Sequence, residues 1–281
     1  MPDPRAVKPA LPTPKLRPRP WAELPAESAR AVTGVLTDID DTLTTEGAIT
    51  PDALAALRRL RDAGLPVIAI TGRPMGWSVP FARAWPVNAI VAENGSVALF
   101  RQGEALHTEY SQDEATREHN ARRLREVAQR VLREVPGTSL SQDSPGRVTD
   151  IAIDHSEFAH LSTAQIDEVV RVMRAEGMNA TVSSIHINGW FGDHTKLSGA
   201  RWAVQRLFGR RIDSELAQWV YVGDSTNDQL MFGHFPLSVG VANVRQFSAQ
   251  LHTWPAYITQ GERGAGFAEV AETVLSARAA R

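Results

Sequence analysis

The stretch Leu36-Thr37-Asp38-Ile39-Asp40-Asp41-Thr42-Leu43 constrains the fold of this chain more than any other. The apolar run at 31–36 leads into it and reads as a buried strand, since a short, continuous apolar run leaves no face for solvent. Thr50-Pro51-Asp52 follows it and reads as a helix start, with Thr as N-cap, Pro at the first helical position and an acid in the first turn. Strand, acidic loop and helix in succession call for a parallel α/β sheet. The loop then falls at the carboxyl end of its strand, where open sheets of this kind hold their ligands.

The alternation continues. A helix at 51–63 carries Leu54, Leu57 and Leu60 on one face, and Gly64 closes it. A strand at 66–70 ends at Thr71-Gly72-Arg73, a short helix spans about 78–84, and a strand at 88–92 ends at Glu93-Asn94-Gly95. The pattern resumes with a helix at 196–208, a strand at 218–223 ending in Gly223-Asp224, a helix at 226–233, strands at 237–241 and 256–258, and a helix at 266–279. The fold class is α/β, a Rossmann-like parallel-sheet core. Between the two halves the character changes: a hairpin at 97–109, a helix at 113–134, a strand at 148–154, a helix at 162–176 and two strands at 180–189. Hairpins mixed with helices suggest an antiparallel sheet covered on one face, an inserted α+β cap. The expected organisation is a Pro-rich, disordered or extended tail at 1–29, a core at 30–95 and 191–281, and the cap at 96–190.

Composition removes several function classes. The 281 residues include no Cys, so disulfides, thiolate metal sites and cysteine nucleophiles are absent. A net charge of −2 gives no electrostatic case for nucleic acid. No apolar run approaches the roughly 20 residues needed to span a bilayer, and the basic N-terminus lacks the apolar centre of a signal peptide. The expected location is cytoplasmic. Nothing in the sequence assigns a protein partner.

Four polar groups stand at strand ends or helix starts in a fixed order: the Asp38/Asp40 pair, the hydroxyl of Thr71, Lys196, and the acids of Gly223-Asp224-Ser225-Thr226-Asn227-Asp228. As an ordered set they resemble the motifs of the haloacid dehalogenase superfamily: DxDxT, the Thr of TGR, a lone Lys and GDxxND. The spacing is similar to the subfamily containing Cof-type phosphatases, sucrose-phosphate phosphatase and phosphomannomutase, and the resemblance covers roughly residues 31 to 275. One position departs from it: Asp41 stands where the family usually has Gly.

Asp38 is the expected nucleophile, ionised at neutral pH at its ordinary pKa of about 3.9 and able to form an aspartyl-phosphate. Asp40 would protonate the leaving oxygen and then activate water, its pKa raised by the neighbouring carboxylate. Bringing two anions together calls for a divalent cation, and oxygen-only donors point to Mg²⁺. Asp38 and Asp224 are the expected direct ligands, with Asp228 and Asn227 completing or orienting the shell. The resemblance implies that the backbone carbonyl of Asp40 also faces the metal. Thr71 and Gly72 would donate to a phosphoryl oxygen, and Lys196 would pair with the phosphate and Asp38. Arg73 would either contact phosphate or pair with the site acids. For the small phosphorylated metabolite, Asn94 would look into the cleft. His186, Asn188 and Trp190 alternate along the last cap strand and share a face. Trp190 reads either as a sugar platform or as hinge packing, and Arg147 and His155 as further cap residues facing solvent. The leading reading is a Mg²⁺-dependent phosphomonoesterase acting on a small metabolite, a sugar phosphate. The alternatives are a sugar phosphomutase, suggested by Gly189-Trp190-Phe191-Gly192-Asp193-His194-Thr195-Lys196, and a catalytically inactive phosphate-binding module.

Overall fold

The computed structural model describes residues 18–280. In chain order its strands are β1 Arg19–Pro20, β2 Gly34–Thr37, β3 Thr44–Thr45, β4 Ala48–Ile49, β5 Val67–Ile70, β6 Ala89–Ala92, β7 Val97–Gln102, β8 Ala105–Tyr110, β9 Ser139–Leu140, β10 Asp150–Asp154, β11 Asn179–Val182, β12 His186–Trp190, β13 Trp219–Gly223, β14 Leu237–Gly240 and β15 Tyr257–Ile258. Its α-helices are α1 Ala26–Ala31, α2 Pro51–Asp62, α3 Met75–Ala84, α4 Glu114–Glu134, α5 Thr163–Ala175, α6 Lys196–Phe208, α7 Gln229–His234 and α8 Arg263–Ala279.

Nine strands form one sheet in the order β1-β15-β14-β13-β2-β5-β6-β7-β8, parallel from β1 through β6. Successive residues of its central strands point to opposite faces. Val35, Val67 and Val220 join Leu57, Leu60, Phe267 and Val270 of α2 and α8 in one cluster. Leu36, Ile68 and Tyr221 join Ala200, Val204 and Phe232 of α6 and α7 in another. Helices therefore cover both faces, as the β-α-β alternation predicts. The cap is a four-stranded antiparallel sheet, β11-β12-β10-β9, in which Ile153 and Ile187 pack against Leu124, Val127 and Val131 of α4 and Val169, Val172 and Met173 of α5.

Two expected boundaries move. The hairpin β7–β8, assigned above to the cap, instead extends the core sheet, pairing antiparallel with β6 from Ala92↔Val97 to Ala89↔Phe100. A run of left-handed residues, Glu93, Asn94 and Gly95 at φ 48°, 56° and 112°, reverses the chain tightly enough for this. The expected tail is also shorter. Residues 1–17 lie outside the described residues, but β1 pairs with β15, Trp21 is fully buried edge-on to Tyr257, and α1 lies in the core cluster through Ala29. The prolines suppress ladder hydrogen bonding, yet β1 is an edge strand, where proline is tolerated.

Candidate active site

β2 and β13 are parallel neighbours in the register Val222↔Thr37, so their carboxyl ends deliver Asp38 and Asp224 side by side. The Asp38 amide donates to the carbonyl of Val222 at 2.8 Å. Lys196 starts α6 behind a capping box of Thr195 and Ser198. Its buried Nζ lies between Asp38 Oδ1 at 2.6 Å and Asp228 Oδ1 at 2.7 Å. Asp228 also accepts from the Tyr221 hydroxyl and from the amides of Asp224, at 2.9 Å, and Ser225, at 3.1 Å. With four donors its lone pairs are taken, which suits it to orienting the loop. Gly223 leaves it room, since a Cβ there would meet Asp228 Oδ2 at 2.4 Å.

Asp38, Asp224 and Asp228 bring carboxylate oxygens within 4.8 Å of one another. Burial, together with Asp228 and Asp40, pushes Asp38 up to about 8 against the pull of Lys196. Burial and the charges of Asp38 and Asp228 drive Asp224 well above the usual carboxylate range. Asp224 Oδ1 is buried with no partner among the described residues. An orphaned oxygen in a cluster of hard donors with excess negative charge fits a divalent cation of the Mg²⁺ type.

On the other side of Asp38, Thr71 is fully buried at the end of β5. Its hydroxyl lies 3.4 Å from Asp40 Oδ2 and accepts from the Arg73 amide at 2.9 Å. Arg73 turns its guanidinium to carboxylates: Nε donates to Asp40 at 2.9 Å, and its far nitrogens donate to the cap residues Asp143, at 3.2 Å, and Glu157, at 2.8 Å. This is the second of the two arrangements the sequence allowed. The Gly72 carbonyl accepts from Arg147 at 2.9 Å and Asn188 at 3.2 Å. His155 and the side chain of Arg147, expected to face solvent, are buried. Arg147 pairs with Asp150 at 2.8 Å, and His155 reaches the Ser183 carbonyl at 3.0 Å.

His186, Asn188 and Trp190 do share a face of β12. His186 bonds Glu157 at 2.9 Å, Asn188 bonds Asp150 at 3.1 Å, and Asn94 lies 3.5 Å from the same Asp150 carboxylate. His186 and Asn188 line a void of about 10 Å³ between Asp38 and cap residues 183–186. Trp190 is buried, donates to the His194 carbonyl at 2.9 Å and stacks on the His194 ring, so it packs against the return to α6 while also lining a neighbouring cavity. That cavity, about 350 Å³, is lined by Asn94, Asn179, Thr181, Lys196 and Asn227, with Arg174 among its walls. Asn227 borders both spaces.

The family profile described as haloacid dehalogenase-like hydrolase matches residues 35–128. The phosphoglycolate phosphatase of Pyrobaculum neutrophilum is 27% identical over 247 residues, covering 86% of this chain and 95% of that protein. Over residues 35–128 the chain is similar to the haloacid dehalogenase-like hydrolases, and over most of its length to a phosphatase. Solved structures share its fold. A Thermoplasma acidophilum protein matches with a TM-score of 0.66 at 14% identity, over 88% of this chain and 99% of that one. The sucrose-phosphatase of Synechocystis sp., in complex with sucrose and phosphate, matches with 0.62 at 16% identity, over 88% and 98%.

Asp41, the position that departs from the family resemblance, has a backbone that would suit Gly. Asp41 sits at φ 54°, the left-handed region that costs other residues strain. Its carbonyl accepts from Asn243 Nδ2 at 3.0 Å, and its carboxylate pairs with Arg263 at 3.0 Å. Asn243 also lies 3.4 Å from Asp224 Oδ2. The sequence reading passed over Asn243, although its place just past the end of β14, a third strand end in the row, was the available signal. It also passed over Tyr221, Asp143 and Glu157, whose positions carry no local signature.

Proposed function

We propose that the chain is a phosphomonoesterase working through an aspartyl-phosphate on a small phosphorylated metabolite. The observation that carries this reading is the ion pair of a buried nucleophile candidate, Asp38, with a buried Lys196, beside a second carboxylate that has its own hydroxyl partner in Thr71. Asp38 attacks phosphorus as the ester P–O bond breaks, and Asp40 gives its proton to the leaving oxygen. Asp40 then takes a proton from the water that cleaves the aspartyl-phosphate. Lys196 neutralises charge beside Asp38 through both steps, and Thr71 holds a phosphoryl oxygen. A Mg²⁺ ion held by Asp38 and Asp224, with the Asp40 carbonyl, would offset the charge of nucleophile and phosphate. Asp228 and Asn227 orient that shell.

A sugar phosphate fits the 350 Å³ cavity, whose Asn and Thr side chains suit polyol hydroxyls. One feature favours a second reading. Arg174 lines that cavity and, among the described residues, no acid does, which suits a leaving group bearing a carboxylate. A panel of sugar phosphates and phosphorylated hydroxy acids, assayed with Mg²⁺ for released phosphate and without any bisphosphate activator, separates these readings and distinguishes hydrolase from mutase. Asp38→Asn should lower turnover by roughly a thousandfold or more with the fold intact. A folded variant near wild-type rate would refute the mechanism. Chelator should abolish activity and Mg²⁺ restore it; full activity in chelator would exclude a metal role.

A further inference from the structure

We propose that the cap carboxylates Asp143 and Glu157 are positioning residues for Asp40, acting through Arg73, so that Asp40 becomes a competent proton donor only when the cap is docked. The proposal rests on the reading of Asp40 as the acid. The side chain of Arg73 is 6% exposed, and its guanidinium lies on the core–cap seam. Its Nε holds Asp40 Oδ1 at 2.9 Å, while its other two nitrogens are held by Glu157 Oε1 at 2.8 Å and Oε2 at 3.3 Å and by Asp143 Oδ2 at 3.2 Å. Both cap acids are themselves fixed. Glu157 accepts from His186 at 2.9 Å, and its amide is tied to Asp154 at 2.9 Å. Asp143 accepts from Ser141 at 2.7 Å and Arg147 at 3.1 Å.

A guanidinium is a rigid planar fork. Gripping its far edge from the cap fixes the plane and leaves a single N–H for Asp40. Among the described residues, Asp40 Oδ2 then has only the Thr71 hydroxyl, at 3.4 Å, and is available to the leaving oxygen. Without the cap acids, Asp40 is the remaining carboxylate partner of Arg73 described here, and the fork can rotate to take both Asp40 oxygens in the bidentate geometry Arg prefers. That pose withholds the proton donor. Closure and chemistry are thereby linked through one side chain. In this arrangement Arg73 is committed to carboxylates and does not bind the phosphoryl group.

The test compares phenyl phosphate with p-nitrophenyl phosphate, two esters of nearly equal size, of which only the first needs its leaving oxygen protonated. The readout is kcat/KM, which covers binding and phosphoryl transfer. In Asp143→Asn/Glu157→Gln, kcat/KM for phenyl phosphate should fall at least tenfold more than for p-nitrophenyl phosphate. In an Arg73→Gln background the same two substitutions should add nothing further. Each single variant should show part of the effect, and serves if the double variant does not fold. Equal losses for both esters would mean that the acids only dock the cap, and an unchanged ratio would mean that they do nothing for Asp40; either overturns the proposal. A wild-type protein that releases phosphate from neither ester nor any member of the metabolite panel would instead overturn the phosphatase reading, and this proposal with it.

Discussion

Asp228 accepts from Lys196, Tyr221 and two backbone amides, so it sets where Lys196 and the Asp224 loop lie without a lone pair to spare. Asp228→Asn keeps the shape but turns an acceptor into a donor facing N–H groups, and leaves a buried ammonium with one carboxylate. Breaking a buried pair in this way costs about 3 kcal/mol or more, and denaturant titration should show a loss of that size. Asp41 is the opposite case. Replacing it with Gly relieves left-handed strain of roughly 1 kcal/mol and loses a half-exposed pair with Arg263 worth at most about 1 kcal/mol. The two effects nearly cancel, so the unfolding free energy of Asp41→Gly should stay within about 1 kcal/mol of wild type, by the same titration. Asp38, Thr71, Lys196 and Asp224 stood out in the sequence because each is a polar group directly after an apolar strand or at a helix start. Glu157 and Asp143 did not, because an acid in a cap loop looks the same whether it faces water or an arginine 84 or 70 residues away.

At the scale of elements, α6 approaches the turn after β6 closely enough that a Cβ on Gly199 would lie 2.6 Å from Gly95 Cα. Gly199→Ala must push α6 outward and carry Lys196 off Asp38. Displacements near 1 Å can cost up to about 100-fold in rate, so kcat should fall well out of proportion to any change in Tm. The cap's grip on the core has a pH window. Burial raises the Glu157 carboxyl, but His186 and Arg73 outweigh that and hold it down to about 2, below its ordinary 4.5. Its stabilisation is present above 4.5 and is lost as pH falls from there toward 2, because the unfolded chain takes up the proton first. Cap residues 141–158 should lose amide-exchange protection over that window in wild type and show no such step in Glu157→Gln. The hairpin β7–β8 was misassigned for a related reason: alternation identifies a strand but not its partner, and the core sheet and the cap offer the same kind of edge.

At the scale of the molecule, the α/β class and the inserted cap were legible because hydrophobic period changes where the chain leaves and re-enters the parallel sheet. The seating of residues 18–31 was not, because proline-rich composition argues against strands in general and cannot signal a single edge pairing. A chain beginning at Ala26 loses β1 and the fully buried Trp21, and burial of that ring alone is worth about 3–5 kcal/mol. Its Tm should fall markedly by calorimetry. The pairing of β1 with β15 also orders events at the ribosome. Arg19 leaves the ribosome long before its partner Tyr257, which lies 238 residues downstream. The cap segment between β8 and α6 closes its own sheet and core from neighbouring stretches and can collapse while synthesis continues. The edge strand must wait until β15 has been made, so this pairing closes late and ties together segments that flank both the core and the cap.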